Sequence, residues 1–200
     1  MKNVCDDKIY VALDEAGRGC LAGDVYCAAV IWNPLLTHPT ADQIKDSKKL
    51  TPHQRDVLYE FITENAIDYA IAYVDVETID SVNILQANMK AMHQALDSLN
   101  VNFEHILVDG NYFLPYKNIP HTCIVKGDDK YIPIAAASIL AKVTRDRYMR
   151  DLAQQYPEYG WDTNFGYGTP EHVAAIKEHG ITKHHRRSFA PCSDHVRRAE

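Results

Sequence analysis

No apolar run in the 200-residue sequence approaches the length of a membrane span. The opening MKNVCDDKIY lacks the apolar core of a signal peptide. There is also no excess of positive charge. With 21 Lys and Arg against 27 Asp and Glu, the formal net charge is -6, which argues against a nucleic-acid binder working by bulk positive charge. A carboxylate-rich site that recruits divalent cations stays open. The five cysteines, Cys5, Cys20, Cys27, Cys123 and Cys192, are odd in number, scattered and without a C-x-x-C pair. That is the pattern of free thiols in a reducing compartment, not of a disulfide framework. Internal repeats and low-complexity linkers are absent too. What is present, 46% hydrophobic residues, can build a sizeable core in one globular domain. The expectation is a soluble, cytoplasmic protein without membrane association, with a monomer as the simplest state.

Patterning along the chain alternates between strands and helices. Residues 9–13 (IYVAL) read as a first strand, and 25–32 (VYCAAVIW) as a strand buried on both faces. After a proline-broken loop, TPHQRDVLYEFITENA reads as a helix with Thr51 as N-cap, Pro52 at the first position and Gln54 completing a capping box. IDYAIAYVDV reads as a third strand. Over residues 80–100, Leu85, Met89, Met92, Leu96 and Leu99 recur in steps of four and three, which predicts a single helix. HILVDG and HTCIVKGD read as short strands, each ending in an acid near a glycine. IPIAAASILAKVTRDRYMRDLAQQY predicts a long helix, and TPEHVAAIKEHG another, capped by Thr169 and closed by Gly180. Interleaving of this kind predicts an α/β layer fold around a mixed sheet.

Asp14, Glu15 and Asp109 stand at or just past the carboxyl ends of expected strands, and Asp128 follows a fourth at its glycine turn. Side chains at such ends converge on one crevice when the strands are neighbours. Four clustered carboxylates repel one another, and divalent metal relieves that cost. All-oxygen ligation selects Mg²⁺ or Mn²⁺ over Zn²⁺. Two such ions roughly 3.5–4 Å apart can clamp the attacking and leaving oxygens of a phosphodiester. Acids at strand ends are also common turn residues, and Asp129 reads as solvated surface.

Directly after the acid pair, Gly17-Arg18-Gly19 offers bare backbone and a guanidinium suited to phosphate, against the plainer reading of a tight turn. Ser47 and Lys48 lie in the basic loop KDSKKL. Tyr167, between two glycines in NFGYGT, suits a stacking platform. Arg186 and Arg187, in KHHRRSF, suit phosphates, with Lys142 and Arg145 as further candidates. Each has a bland counterpart in a solvated loop or surface charge.

Together these stretches resemble the ribonuclease HII family, the type 2 ribonucleases H: DEAGRG at residues 14–19, DSKKL at 46–50, NILQANMKAM at 83–92, VDGN at 108–111, KGD at 126–128, AAASILAKVTRDR at 135–147, GYGT at 166–169 and HHRRSF at 184–189. The resemblance spans nearly the whole chain. It implies a ribonuclease H-like fold, a mixed five-stranded sheet with flanking helices and a helical C-terminal extension. Residues 1–200 would be one catalytic domain, with roughly 160–200 as a substrate-binding part. It implies that Asp14, Glu15, Asp109 and Asp128 hold two Mg²⁺ or Mn²⁺ ions during catalysis. The backbone at Gly17, Arg18 and Gly19 would sense a ribose 2′-hydroxyl, and Tyr167 would stack on the following deoxynucleotide sugar. The implied substrates are RNA–DNA hybrids and duplex DNA containing ribonucleotides. One position departs from the resemblance: NKGYGT is expected, and Phe165 replaces the lysine. A DNase of the same fold superfamily and a non-catalytic nucleic-acid-binding module are the alternatives.

Overall fold

A computed structural model of the chain describes residues 2–3 and 8–199; Cys5 lies outside the described residues. Strands β1 (Tyr10–Ala16), β2 (Val25–Ile31), β3 (Asp68–Val74), β4 (His105–Asp109) and β5 (His121–Ile124) form one sheet in the order β3-β2-β1-β4-β5. The β3-β2-β1 half is antiparallel, and β4 and β5 join β1 in parallel. Every residue of β2 is buried, as an unbroken apolar run requires when both faces of a strand are covered.

Helix α1 (Pro52–Asn65) begins as its local signals demand. Thr51 Oγ1 accepts from the Gln54 amide at 3.2 Å, and Gln54 Oε1 accepts from the Thr51 amide at 2.9 Å. The single helix expected over 80–100 is instead two. Helix α2 (Val76–Val82) starts at the Asp75 cap, which also ends the third strand at Val74, short of the expected boundary. At Asn83 the backbone turns to φ 72, and its Oδ1 accepts from the amides of Leu85 and Gln86, opening α3 (Ile84–Asp97). An apolar stripe reports which face is inside. It does not register a side chain that competes for backbone amides and breaks the helix.

Helix α3 covers one sheet face, packing Met89, Met92 and Leu96 on Val11, Leu13, Val25 and Cys27. Helix α4 (Ile132–Gln155) covers the other with Ala135, Ala136, Ala137 and Ile139 against Ala28 and Val30, joined by Leu58 and Ile62 of α1. Its run of alanines lets the helix axis approach the sheet closely. Burying each large aliphatic side chain contributes about 1.5–3 kcal/mol.

The second half of α4 carries a third cluster. Met149 and Leu152 pack with Tyr159, Trp161 of α5 (Trp161–Asn164), Ile176 of α6 (Pro170–His179), and Leu21 and Ala22 from the loop after β1. This cluster seats the C-terminal part beside that loop. A last helix, α7 (Cys192–Ala199), was not expected from its polar sequence. No helix among the described residues is long and apolar enough to cross a membrane.

Candidate active site

The sheet register brings the acids together. In the parallel β1–β4 pair, Leu13 lies opposite Val108, so the next residues, Asp14 and Asp109, leave neighbouring strands side by side. Asp109 in turn lies opposite Ile124 of β5. The chain then makes a tight turn that carries the buried Asp128. The turn is tied back to β4, because the Gly127 amide donates to Asp109 Oδ1 at 2.7 Å. Asp14 Oδ1 accepts from the Glu15 amide, also at 2.7 Å.

Burial pushes the Asp14 carboxyl well above the usual range. Glu15, Asp109 and Asp128 add to the shift, and the bond from the Glu15 amide opposes it. Burial likewise raises Glu15, against the Arg18 guanidinium and the Asn88 side chain. Burial, with Asp109 and Asp46 nearby, pushes Asp128 up to about 6, against the Lys48 ammonium. Each acid is therefore held with too little positive charge around it, as a cation-recruiting site requires.

Among the described residues, no three His, Cys, Asp or Glu side chains close on a common point that could hold an ion. The donor set still fits a hard divalent cation. All four side chains offer carboxylate oxygens. The buried Asn88 Oδ1, on the crevice lined by Glu15 and Asp109, has no hydrogen-bond partner. Asn88 was not anticipated from the sequence, where it reads only as a polar residue on an apolar stripe.

A cleft of about 580 Å³ joins Asp14 and Glu15 to Gly17, Arg18, Gly19, Ser47, Lys48, Lys142 and Tyr167. The Gly17-Arg18-Gly19 corner is supported from behind by two buried arginines. Arg145, 1% exposed, donates to the carbonyls of Ala22, Asp24 and Phe165 at 2.9–3.0 Å. Arg186, fully buried, donates to the carbonyls of Gly17, Arg18 and Gly23 at 2.6–3.0 Å.

These contacts correct the expectation that Arg186 and Arg145 meet phosphates. A guanidinium fork fits several carbonyls at once, and here the forks are spent on the loop. They also change the reason for Gly17. Its φ is +91, and a Cβ there would lie 1.9 Å from Arg145 Nε, whereas a Cβ on Gly19 meets nothing within 4 Å. Gly17 is bare to admit Arg145 from inside, and Gly19 faces open space.

Tyr167 is 41% exposed at the cleft. Its carbonyl accepts from Nδ1 of the buried His172 at 2.9 Å. His172 Nε2 takes the Trp161 indole N–H at 3.0 Å and meets His185 Nε2 at 3.1 Å, while His185 Nδ1 accepts from the Thr182 amide at 2.9 Å. These partners fix both tautomers: the protons sit on His185 Nε2 and His172 Nδ1. Each ring uses one nitrogen as an acceptor, as a neutral imidazole does, and burial lowers His172 and brings His185 down to about 3.

Ser47 is buried, its hydroxyl 2.8 Å from that of Ser138, and Lys48 is exposed at the rim. Their loop is held by Arg55, which donates to the Ser47 and Leu50 carbonyls. Asp129 pairs with Lys49 on the surface. Arg187 is exposed elsewhere, in a hollow shared with Glu77 and Asp80.

A mixed five-stranded sheet with flanking helices and acids at the ends of adjacent parallel strands defines the class, an enzyme of ribonuclease H-like fold. The family profile for ribonuclease HII matches residues 11–192. A ribonuclease HII of Phocaeicola vulgatus is 51% identical over 183 residues, covering 92% of this chain and 90% of the relative. The crystal structure of ribonuclease H2 from Pyrococcus horikoshii OT3 superposes with a TM-score of 0.79 at 28% identity, covering 94% of this chain and 97% of that one. Bst-RNase HIII, solved in complex with Mn²⁺, shares the fold at 18% identity and a TM-score of 0.72, over 96% of this chain and 70% of its own. The chain belongs to the ribonuclease HII family, whose members are enzymes that hydrolyse RNA.

Proposed function

We propose that this protein is an endoribonuclease acting on nucleic-acid duplexes. It cleaves the RNA strand of RNA–DNA hybrids and incises 5′ to single ribonucleotides in duplex DNA, leaving 3′-hydroxyl and 5′-phosphate ends. The observation that carries this reading is the β1–β4 register, which sets Asp109 beside Asp14, and Asp14 lines the cleft holding the Gly17–Gly19 corner.

Asp14, Glu15, Asp109 and Asp128 would hold Mg²⁺ or Mn²⁺, two ions during catalysis. Such ions supply charge neutralisation at the phosphodiester and activation of water. The chain's own residues do the selecting. The Gly19 edge of the corner, open to solvent, meets the ribose 2′-hydroxyl, the group that tells RNA from DNA at one site. Tyr167 presses on the sugar of the next nucleotide, its main chain fixed by His172. Lys48 contacts phosphate at the rim, and residues from about 160 onward serve as the substrate-binding part.

The test is incubation with a duplex containing one ribonucleotide, a continuous hybrid and an all-DNA duplex, each with and without Mg²⁺. Metal-dependent cutting of the first two alone is expected. Cutting of the all-DNA duplex favours a DNase instead, and binding without cutting of any substrate favours a non-catalytic module.

A further inference from the structure

Lys142, a cation lining the cleft, is held by a contact that the proposed function leaves unused. Phe165 follows α5 in the left-handed region, at φ 50, where a bulky residue is uncommon. Its backbone is fixed from both sides: its amide donates to the Trp161 carbonyl at 3.2 Å, and its carbonyl accepts from the buried Arg145 at 2.9 Å. The ring is thereby aimed at α4. The Lys142 ammonium lies 4.6 Å from the ring centroid, and the Arg150 guanidinium lies 5.4 Å from it. Both distances are within cation–π range.

Lys142 also donates to Asp146 Oδ1 at 2.6 Å. An ammonium has three donors, and an aromatic face attracts its charge without accepting a conventional hydrogen bond. Donors therefore remain for a ligand in the cleft that Lys142 lines with Asp14 and Glu15. A free lysine on its flexible stem could swing onto those carboxylates. The ring and Asp146 hold it back from them.

We propose that Phe165 is a positioning residue: its ring clamps the Lys142 ammonium at the cleft wall as a contact for the phosphodiester backbone of a bound strand. This rests on the nucleic-acid reading above. The test is duplex binding in EDTA, so that a protein that binds but does not cut still reports on the clamp. Anisotropy titrations of a hybrid across a salt series compare the wild type with F165Y, F165L, K142Q and the double variant.

F165L should weaken binding about three- to ten-fold, and F165Y should match wild type. K142Q should reduce the salt slope by about one, and F165L should add nothing in the K142Q background. Wild-type affinity for F165L, or an undiminished loss beside K142Q, overturns the proposal. A wild-type protein that binds no duplex overturns both the proposal and the reading beneath it. Should F165L not fold, the wild type suffices. Lys142 side-chain protons must show an upfield ring-current shift, and their absence there overturns the clamp.

Discussion

The two sides of the cleft handle buried charge in opposite ways. On the sheet side, Asp14, Glu15 and Asp128 are acids raised by burial and by neighbouring carboxylates, with few donors to relieve them. On the loop side, Arg145 and Arg186 are more deeply buried, yet their donors are spent on backbone carbonyls. A buried charge with partners is part of the framework. A buried charge short of partners is held ready for something the protein alone does not supply. On the proposed reading, function lies on the unsatisfied side and precision on the satisfied side.

Substitutions on the two sides should therefore have opposite effects. The largest is expected for D14N or D109N. Cleavage should fall on the order of a thousandfold or more while the melting temperature holds or rises, since a repelling charge is removed. Single-turnover rates and calorimetry on one preparation decide this, and a near-wild-type rate in either variant removes that residue from the mechanism.

R186A should do the reverse to stability. It strands the Gly17, Arg18 and Gly23 carbonyls and should cost about 3 kcal/mol or more, read from denaturant midpoints. A neutral result would mean that the loop holds its shape unaided.

Asp24 is the exception on the loop side. Burial carries it from 3.8 to about 6, against the amide of Val76 that it accepts. A raised acid favours folding in its protonated form. Its contribution is full below about pH 4 and is lost as pH rises through 6, about 3 kcal/mol in all. D24N keeps an acceptor for Val76 and should narrow the stability gap between pH 4.5 and 7.5. Identical pH profiles for D24N and wild type would rule Asp24 out as the source.

The smallest effect separates the two glycines. G17A sets a Cβ against the buried Arg145 at a positive φ and should lose more than the ~1 kcal/mol of the backbone cost alone, whereas G19A should melt like wild type. If G19A also leaves cleavage of ribonucleotide substrates intact, the corner does not read the 2′-hydroxyl at that edge.

Much of the scaffold was legible because its signals are local. Thr51, Pro52 and Gln54 wrote the start of α1 into four consecutive residues, and the apolar run of β2 announced a strand covered on both faces. The acid cluster was legible only in part. Spacing placed Asp14 and Asp109 at strand ends, but that β1 and β4 are neighbours is a fact of sheet order, and the family resemblance implied only that the two acids share a metal site. The buried arginines were misread for a physical reason. Their partners are main-chain carbonyls, which every residue carries, so nothing in the sequence marks where a guanidinium will be absorbed. The break at Asn83 was missed because the apolar stripe, Leu85 to Leu99, lies wholly after it and says nothing of where the helix begins.

The bond between Arg186 and the Gly17 carbonyl spans 169 residues. In a chain made from its amino terminus, the corner beside Asp14 emerges long before the side chain that braces it. Asp109 and Asp128 also follow the corner by many residues. A product stopped anywhere short of Arg186 therefore carries the corner without its brace.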